Sequence, residues 1–221
     1  MRMGYLVVLA FLVAALPSQL QAQGWYPLYA SYGYGEGEPK DLMPASDDFT
    51  ADEEHDVKDF LIGLPLSEDF SLEFGYVELG ETRLVNDSTG VLIRSYDDKT
   101  LALNAGSVFR EDATGLTAGL RYAYPLHPNF DIYTRLGVIH WETELSAEGT
   151  VALNGTALSN GQQDNGTAGY LALGLRYNLS QTVGIGMEYT RYDEVAGREI
   201  DAIFTRLDIK FDTLPPTPQV R

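Results

Sequence analysis

The sequence has 221 residues, and its 15 basic residues (Lys and Arg) are outnumbered by 32 acidic ones, which gives a formal net charge of −17. Because phosphate binding needs clustered cations, this balance excludes a generic nucleic-acid-binding protein. The chain has no cysteine, which excludes disulfide scaffolds and thiolate metal sites, and its three histidines are too far apart in sequence to indicate a zinc site. We therefore expect neither a metal nor a cofactor.

The first 22 residues have the pattern of a secretory signal peptide. Arg2 provides a positive start, an apolar run extends from Tyr5 to Leu16, and Leu20–Ala22 resembles a small-residue cleavage site. The run is too short to span a bilayer, so we expect residues 1–22 to be removed. The alternative is a retained membrane anchor. No stretch of about 18 apolar residues follows, so no transmembrane helix is predicted.

From Trp25 onward, apolar residues alternate with small or polar ones, which is the period of a strand. Eight segments show this alternation, at residues 28–35, 58–66, 70–76, 117–124, 131–138, 171–178, 183–190 and 202–211. One face of each segment carries large aliphatic or aromatic residues, and the other carries Gly, Ser, Thr and single charged residues. No segment has a convincing helical period, so the sequence predicts an all-β chain.

The connections between these segments alternate in length. Short polar turns are predicted at residues 66–69, 126–129 and 179–182, and long polar loops at 36–57, 82–113, 142–168 and 193–200. Short turns at one end and long loops at the other are typical of an up-and-down meander. The prediction is an eight-stranded antiparallel β-barrel.

The charged residues on the small-residue face decide which side of the barrel faces inward. They form a predicted lumen charge network of Glu73, Arg121, Arg135, Arg176, Glu188 and Arg206. Counted from the short turns, this layer falls ~13–18 Å from the barrel edge, near a bilayer midplane. A lipid-facing Arg there would cost ~2–4 kcal/mol, whereas facing the lumen it can pair. The pattern therefore favours a transmembrane barrel with its apolar face outward over a soluble β-sandwich.

Three stretches resemble a known family. They are LTAGLRYAYPLHPNFDIYTRLGVIHWETEL at Leu116–Leu145, FSLEFGYVELG at Phe70–Gly80 and LGLRYNLSQTVGIGMEY at Leu173–Tyr189. The chain resembles the OmpA-type eight-stranded outer-membrane β-barrel, and DIYTRLG at Asp131–Gly137 is the most specific piece. The resemblance covers roughly Trp25 to Phe211.

This resemblance implies a barrel domain at residues 23–211 in the outer membrane of a Gram-negative envelope. The family places its chain ends in the periplasm and its long loops outside the cell. Its partners would be outer-membrane lipid, lipopolysaccharide and the insertion machinery, which reads a last strand like Leu207–Phe211. Residues 212–221 form a short Pro-rich tail, so the peptidoglycan-binding domain of two-domain members is not carried over.

The family's lumen holds an acid–base gate that limits ion flow, and this chain departs from it. Glu73 and Arg121 match the gate in charge, but the partner position of Arg121 is Arg176, a reversed charge, and that of Glu73 is the uncharged Gly186. We therefore hypothesise a rewired network. It shares two acids, Glu73 and Glu188, among Arg121, Arg135, Arg176 and Arg206, with the excess positive charge offset by Asp59, Asp131 and Asp208.

Three functions are compatible with these features. The favoured one is a structural or surface-interaction role through the loops, because a narrow lumen filled by side chains transmits little. The alternatives are a small gated ion channel and an enzyme that modifies outer-membrane lipid. Such an enzyme needs a base, and the candidates His55, His127 and His140 are expected to be structural or solvated.

The first loop is rich in carboxylates, namely Glu36, Glu38, Asp41, Asp47, Asp48, Asp52, Glu53, Glu54 and Asp56. Oxygen-rich loops can hold Ca²⁺ or Mg²⁺, although the spacing is not that of an EF-hand. The alternative interpretation is a mobile, solvated loop.

Overall fold

The architecture was taken from a computed structural model, which describes residues 28–39, 49–52, 55–96, 99–158 and 161–211. The predicted signal peptide, the Pro-rich tail and most of the acidic first loop lie outside these residues. Of that loop, Glu36 and Glu38 extend the first strand, Asp56 lies near the start of the third, and only the backbone of Asp52 is described. No helix among the described residues is long and apolar enough to cross a membrane.

Eight long strands form the barrel wall. They are β1 (Tyr29–Pro39), β3 (His55–Pro65), β4 (Phe70–Asn86), β7 (Val108–His127), β8 (Phe130–Glu148), β11 (Gln162–Asn178), β12 (Val183–Val195) and β13 (Arg198–Lys210). Five shorter strands lie in the connections: β2 (Phe49–Asp52), β5 (Leu92–Tyr96), β6 (Lys99–Leu103), β9 (Val151–Leu153) and β10 (Thr156–Ala157).

The wall is antiparallel throughout and closes on itself. Each long strand pairs with its neighbour in sequence, and β1 pairs with both β3 and β13, which leaves no free edge in the wall. The predicted eight-stranded barrel is therefore confirmed. We call the end with the three short turns the turn end, and the opposite end the loop end.

The predicted orientation of the wall is also observed. Large apolar side chains of the outward face are exposed, among them Phe74, Leu120, Leu136, Leu173, Met187 and Ile203. Inward neighbours on the same strands, such as Glu73, Arg121 and Arg135, are buried. The single-residue alternation of a strand produces this division, because successive side chains point to opposite faces.

The prediction of long loops requires a correction. Strand β4 continues to Asn86 and β7 begins at Val108, so both ends of the predicted loop 82–113 belong to the barrel wall. Likewise β8 continues to Glu148, β11 begins at Gln162, and β12 and β13 are joined by a turn at Ala196–Gly197. The prediction stopped the strands where the outward face becomes polar, but the strands continue because their inward face becomes apolar there.

The remaining connections at the loop end form a second sheet. Strands β5, β6, β9 and β10 pair in the order β10-β9-β6-β5, and we call this the cap sheet. It packs on the extended wall through a cap core of Leu84, Leu101, Leu103, Phe109, Leu145, Val151 and Leu153. Two connections predicted as separate polar loops are thus joined into one ordered unit.

Candidate functional site

Nine charged side chains form a connected group in the lumen on the side of the turn end. The six predicted ones are Glu73, Arg121, Arg135, Arg176, Glu188 and Arg206, and the three acids expected to offset them are Asp59, Asp131 and Asp208. Eight of the nine are buried, and Arg176 is 11% exposed at its side chain. Four guanidinium groups thus face five carboxylates within one connected layer, which we call the charged layer.

Arg135 on β8 lies at the centre of this layer. Its Nε donates to Oε2 of Glu73 at 2.6 Å, and its Nη1 donates to Oε1 of Glu188 at 2.7 Å. A third carboxylate, that of Asp59, lies 3.8 Å from Nη1. These acids come from β4, β12 and β3, none of which neighbours β8, so one arginine ties its own strand to distant parts of the wall.

Glu188 bridges two arginines of the layer. Its Oε1 accepts from Arg135, from Nη2 of Arg206 at 2.6 Å and from the Thr190 hydroxyl at 2.8 Å. The same Nη2 of Arg206 donates to Oδ2 of Asp59 at 2.7 Å. Two arginines therefore share one carboxylate at hydrogen-bond distance, and charge-assisted contacts of this kind are the stronger class of hydrogen bond.

Arg121 has looser ionic contacts and a close aromatic one. Its Nη1 lies 3.7 Å from Oε1 of Glu73 and 3.7 Å from Oδ2 of Asp208. Its guanidinium carbon lies 3.8 Å from the centroid of the Tyr133 ring. Nε and Nη2 have no hydrogen-bond partner among the described residues, and the ring face supplies a cation–π contact in their place.

The predicted role of Arg176 requires a correction. It contacts neither Glu73 nor Glu188 and instead donates to Oδ2 of Asp131 through Nη2 at 2.6 Å and Nε at 3.0 Å. Its Nη1 also lies 3.4 Å from Oδ2 of Asp208. The cause is register: Arg176 and Asp131 are direct cross-strand partners on β11 and β8, closer to the turn end than the other pairs.

Inward tyrosines fill the space that inward glycines leave. A Cβ at Gly63 would lie 2.0 Å from Cζ of Tyr29, one at Gly174 would lie 2.2 Å from Cζ of Tyr133, and one at Gly119 would lie 2.3 Å from the hydroxyl of Tyr170. The ring of Tyr29 additionally brings its hydroxyl to Glu73. Any side chain in place of these glycines would therefore displace a ring that contacts the charged layer.

On its loop-end side, the charged layer is covered by apolar side chains. This upper core combines inward residues of seven wall strands, including Val57, Leu79, Ile139, Trp141, Tyr192 and Phe204. Trp141 is 8% exposed and lies against Gly166. Apolar packing thus follows the charged layer along the same lumen.

A second buried ion pair lies near the loop end. Glu111 on β7 and Arg198 on β13 are in contact, and these strands are four positions apart in either direction around the wall, so the pair spans the barrel. Arg198 also donates to the Thr82 hydroxyl at 3.3 Å. Burial raises the pKa of the Glu111 carboxyl above its ordinary value, and the charge of Arg198 opposes this rise.

The three histidines occupy different surroundings. His55, expected to be structural or solvated, is buried, with Nε2 3.2 Å from the Thr82 hydroxyl. His140 is exposed on the outward face, 3.2 Å from the Thr167 hydroxyl, and His127 lies exposed at the turn end. Within the described part of the chain, no group of three or more His, Cys, Asp or Glu side chains is placed to hold a metal ion.

The sequence pointed to the charged layer but not to two other features. Tyr133 and Tyr170 carry no charge, so the charge pattern alone does not place them in the network, although Tyr133 has inward parity. The pair Glu111–Arg198 joins residues 87 positions apart, and both lie in segments predicted as loops. Continued alternation through Thr82, Leu84, Phe109 and Glu111 was the signal that could have placed these residues on strands.

Comparison with known proteins gives one family match. The model of the family described as "OmpA-like transmembrane domain" matches residues 25–209. A search of curated proteins found no match. Similar solved structures include Ail of Yersinia pestis bound to sucrose octasulfate, which is 14% identical and covers 83% of this chain and 97% of its own, with a TM-score of 0.49.

Two further structures have comparable similarity. Neisserial surface protein A is 11% identical, with 86% of this chain and 100% of its own covered and a TM-score of 0.49. The N-terminal β-barrel domain of Pseudomonas aeruginosa OprF is 13% identical, with 85% and 99% covered and a TM-score of 0.49.

Proposed function

This chain belongs to the OmpA-like transmembrane domain family, and on that premise we propose that it is a closed outer-membrane barrel that presents a binding surface outside the cell. In this proposal the turn end faces the periplasm and the loop end faces outward. The wall contacts outer-membrane lipid and lipopolysaccharide, and the barrel anchors the cap sheet at the cell surface.

The observation that carries this proposal is the filling of the lumen. The charged layer is linked by direct ion pairs across the barrel, and the upper core adds buried side chains such as Ile139, Tyr192 and Phe204. An eight-stranded barrel is only wide enough for side chains to fill it. A route for ions or solutes would need both layers to open, which supports a role on the surface over a role in transport.

The cap sheet supports the location of that surface. It stands on strands that extend beyond the apolar band of the wall, and the cap core includes side chains, such as Leu101 and Phe109, with no measurable exposure. Binding residues are often found on connections that a rigid scaffold positions. Here the connections themselves are folded into such a scaffold.

Cysteine labelling on intact cells tests this topology, because the natural chain has no cysteine. Val91, exposed beside the cap sheet, and Glu68, exposed in a short turn, are each replaced by cysteine. A membrane-impermeant maleimide is expected to label Val91→Cys on intact cells and Glu68→Cys only after permeabilisation. The reverse pattern would contradict the proposal.

Conductance in planar bilayers separates this proposal from the gated-channel alternative. The wild-type protein is expected to give no resolvable current steps. The variants Phe204→Ala and Arg121→Ala test the upper core and the charged layer separately. Regular steps from the wild-type protein that change in size in the Arg121→Ala variant would favour the channel.

A further inference from the structure

The cap sheet has a solvent-facing side of unusual composition. The residues Ile93, Ala102, Ala152 and Ala157 are direct cross-strand partners and form one row across all four strands. Ile93 is 66% exposed, and the neighbouring Val91 is 61% exposed. In a chain with 47 charged residues of 221, this row is uncharged and made of one aliphatic and three small side chains.

Val91 and Ile93 are also exceptional in their position. Every other large apolar side chain that is exposed among the described residues lies on the outward face of the wall or in the region of the short turns. Those residues face lipid or its boundary, whereas Val91 and Ile93 belong to the connection that forms the cap sheet. Single exposed apolar residues are common, but these two lie beside the uncharged alanine row, and contiguous apolar surface of this kind marks interaction sites.

Strand β5, which carries Ile93, lies at the edge of the cap sheet. It pairs with β6 on one side, and none of the described strands pairs with its other side. A strand edge presents a row of backbone N–H and C=O groups at fixed spacing. An extended polypeptide matches the spacing of such a row and can satisfy it in register, as in β-strand addition.

The turn before β5 holds this edge in place. The buried Asn86 donates through Nδ2 to the carbonyl of Gly90 at 3.0 Å and to that of Leu103 at 2.8 Å. The Ser88 hydroxyl donates to Oδ1 of Asn86 at 2.7 Å. Because the edge is fixed by these contacts and by Leu92 against the cap core, a partner would not have to order it on binding.

We propose that the free edge of β5 binds an extended aliphatic segment of another protein, which adds as a fifth strand to the cap sheet and packs beside Ile93. This inference rests on the proposed function and names the class of its partner. A second copy of this chain, joined face to face, fits less well. Four strands at about 4.8 Å spacing and at most five residues in length give a face smaller than about 320 Å², well below the ~800 Å² per partner of a stable interface.

The test uses the full chain in lipid nanodiscs and a synthetic octapeptide of alternating threonine and valine with a lysine at each end. We expect saturable binding in calorimetry and chemical-shift changes in the amide resonances of Leu92–Tyr96. The same peptide, N-methylated along one backbone edge, keeps its side chains but loses half of its main-chain donors, and it is expected not to bind.

Two variants of the protein locate the binding. Ile93→Lys places a charge at the edge and is expected to weaken binding about tenfold or more. Gln163→Lys adds the same charge at an exposed position of the wall strand β11, outside the cap sheet, and is expected to bind like the wild type. A heat-shifted gel band verifies that both variants are folded.

Absence of saturable binding to the wild type at millimolar peptide would overturn the proposal, as would equal affinity for Ile93→Lys or for the N-methylated peptide. A peptide-free dimer that Ile93→Lys dissociates would replace it with self-association. These outcomes are independent of the cell-labelling result, so failure of the binding site and failure of the proposed topology are distinguished.

Discussion

The two halves of the barrel are built with opposite polarity on the same strands. On β8, the turn-end half places Arg135 in the lumen and Leu136 outside, with Leu136 66% exposed. Nearer the loop end, the same strand buries Leu145 at 3% exposure and leaves Glu144 exposed on the outside. The alternation is unchanged between the two halves, but the apolar residues have moved from the outer to the inner face.

This difference shows that the solvent around the wall decides which face is apolar. Where lipid surrounds the barrel, burying charge inside costs less than exposing it outside, provided the charges pair. Where water surrounds it, the ordinary hydrophobic core returns, as the upper core and the cap core show. The two halves are consequently held by different forces, and substitutions should separate them.

The largest expected effect is in the charged layer. Glu188→Ala removes the carboxylate that Arg135 and Arg206 share, which leaves two buried guanidinium groups with fewer partners. Removing one partner of a buried ion pair typically costs ~3–5 kcal/mol. We expect a loss of this size in urea unfolding from lipid vesicles, followed by the heat-shifted gel band. Glu188→Gln keeps the volume and one acceptor oxygen, so its loss should be smaller. An unchanged unfolding midpoint for Glu188→Ala would refute the role of the network.

The sequence was sufficient to predict the turn-end half of the barrel because two signals agree there. The outward face is apolar over whole segments, and single charged residues such as Arg121 and Glu188 fall at one depth. Their individual partners could not be predicted, because pairing depends on the stagger of the strands. Arg176 shows this, since its direct cross-strand neighbour Asp131 takes the place expected for Glu73 or Glu188.

The wall strands of the loop-end half were predicted as loops for the converse reason. Segments such as 142–148 lose their apolar outward face, so a pattern tuned to membrane strands predicts a loop. The strand continues there through the buried inward residues Thr143 and Leu145, so its apolar side chain lies on the inward face and not on the outward one. The cap sheet brings together residues of two separate connections, and spacing along the chain carries no sign of that pairing.

The next largest effect is expected in the cap core and should stay local. Leu101 is fully buried between the cap sheet and the wall, and Leu101→Ala should cost about 3 kcal/mol through lost burial and a residual cavity. Amide hydrogen exchange is expected to accelerate in β5, β6 and β9, while urea unfolding of the barrel keeps its midpoint. Val91→Ala, at an exposed aliphatic position, is the matched control and should change neither. A lower urea midpoint of the barrel in Leu101→Ala would show that the cap sheet and the barrel unfold as one unit.

A smaller effect is expected where a glycine accommodates a ring of the lumen. A Cβ at Gly174 would lie 2.2 Å from Tyr133, whose ring also covers Arg121. Gly174→Ala should therefore displace the ring and cost ~1–3 kcal/mol in the same urea experiment. Gly90→Ala meets nothing within 4 Å and serves as the control. Equal midpoints for the two variants would show that Tyr133 can move without disturbing the charged layer.

The smallest effect is expected for an ion pair on the outside of the loop-end half of the barrel, where water screens the charges. Glu148 is 65% exposed at its side chain, and its Oε1 lies 2.9 Å from Nη2 of Arg110, a distance close to that between Glu188 and Arg135. Glu148→Ala should nevertheless cost less than ~1 kcal/mol, because water already solvates both partners and stabilises the arginine that remains. The loss should disappear at about 1 M salt, where the screening length falls to ~3 Å, whereas the loss in Glu188→Ala should persist. A salt-resistant loss in Glu148→Ala as large as that in Glu188→Ala would mean that distance, rather than burial, sets the strength of these pairs, and the contrast between the two halves would then fail.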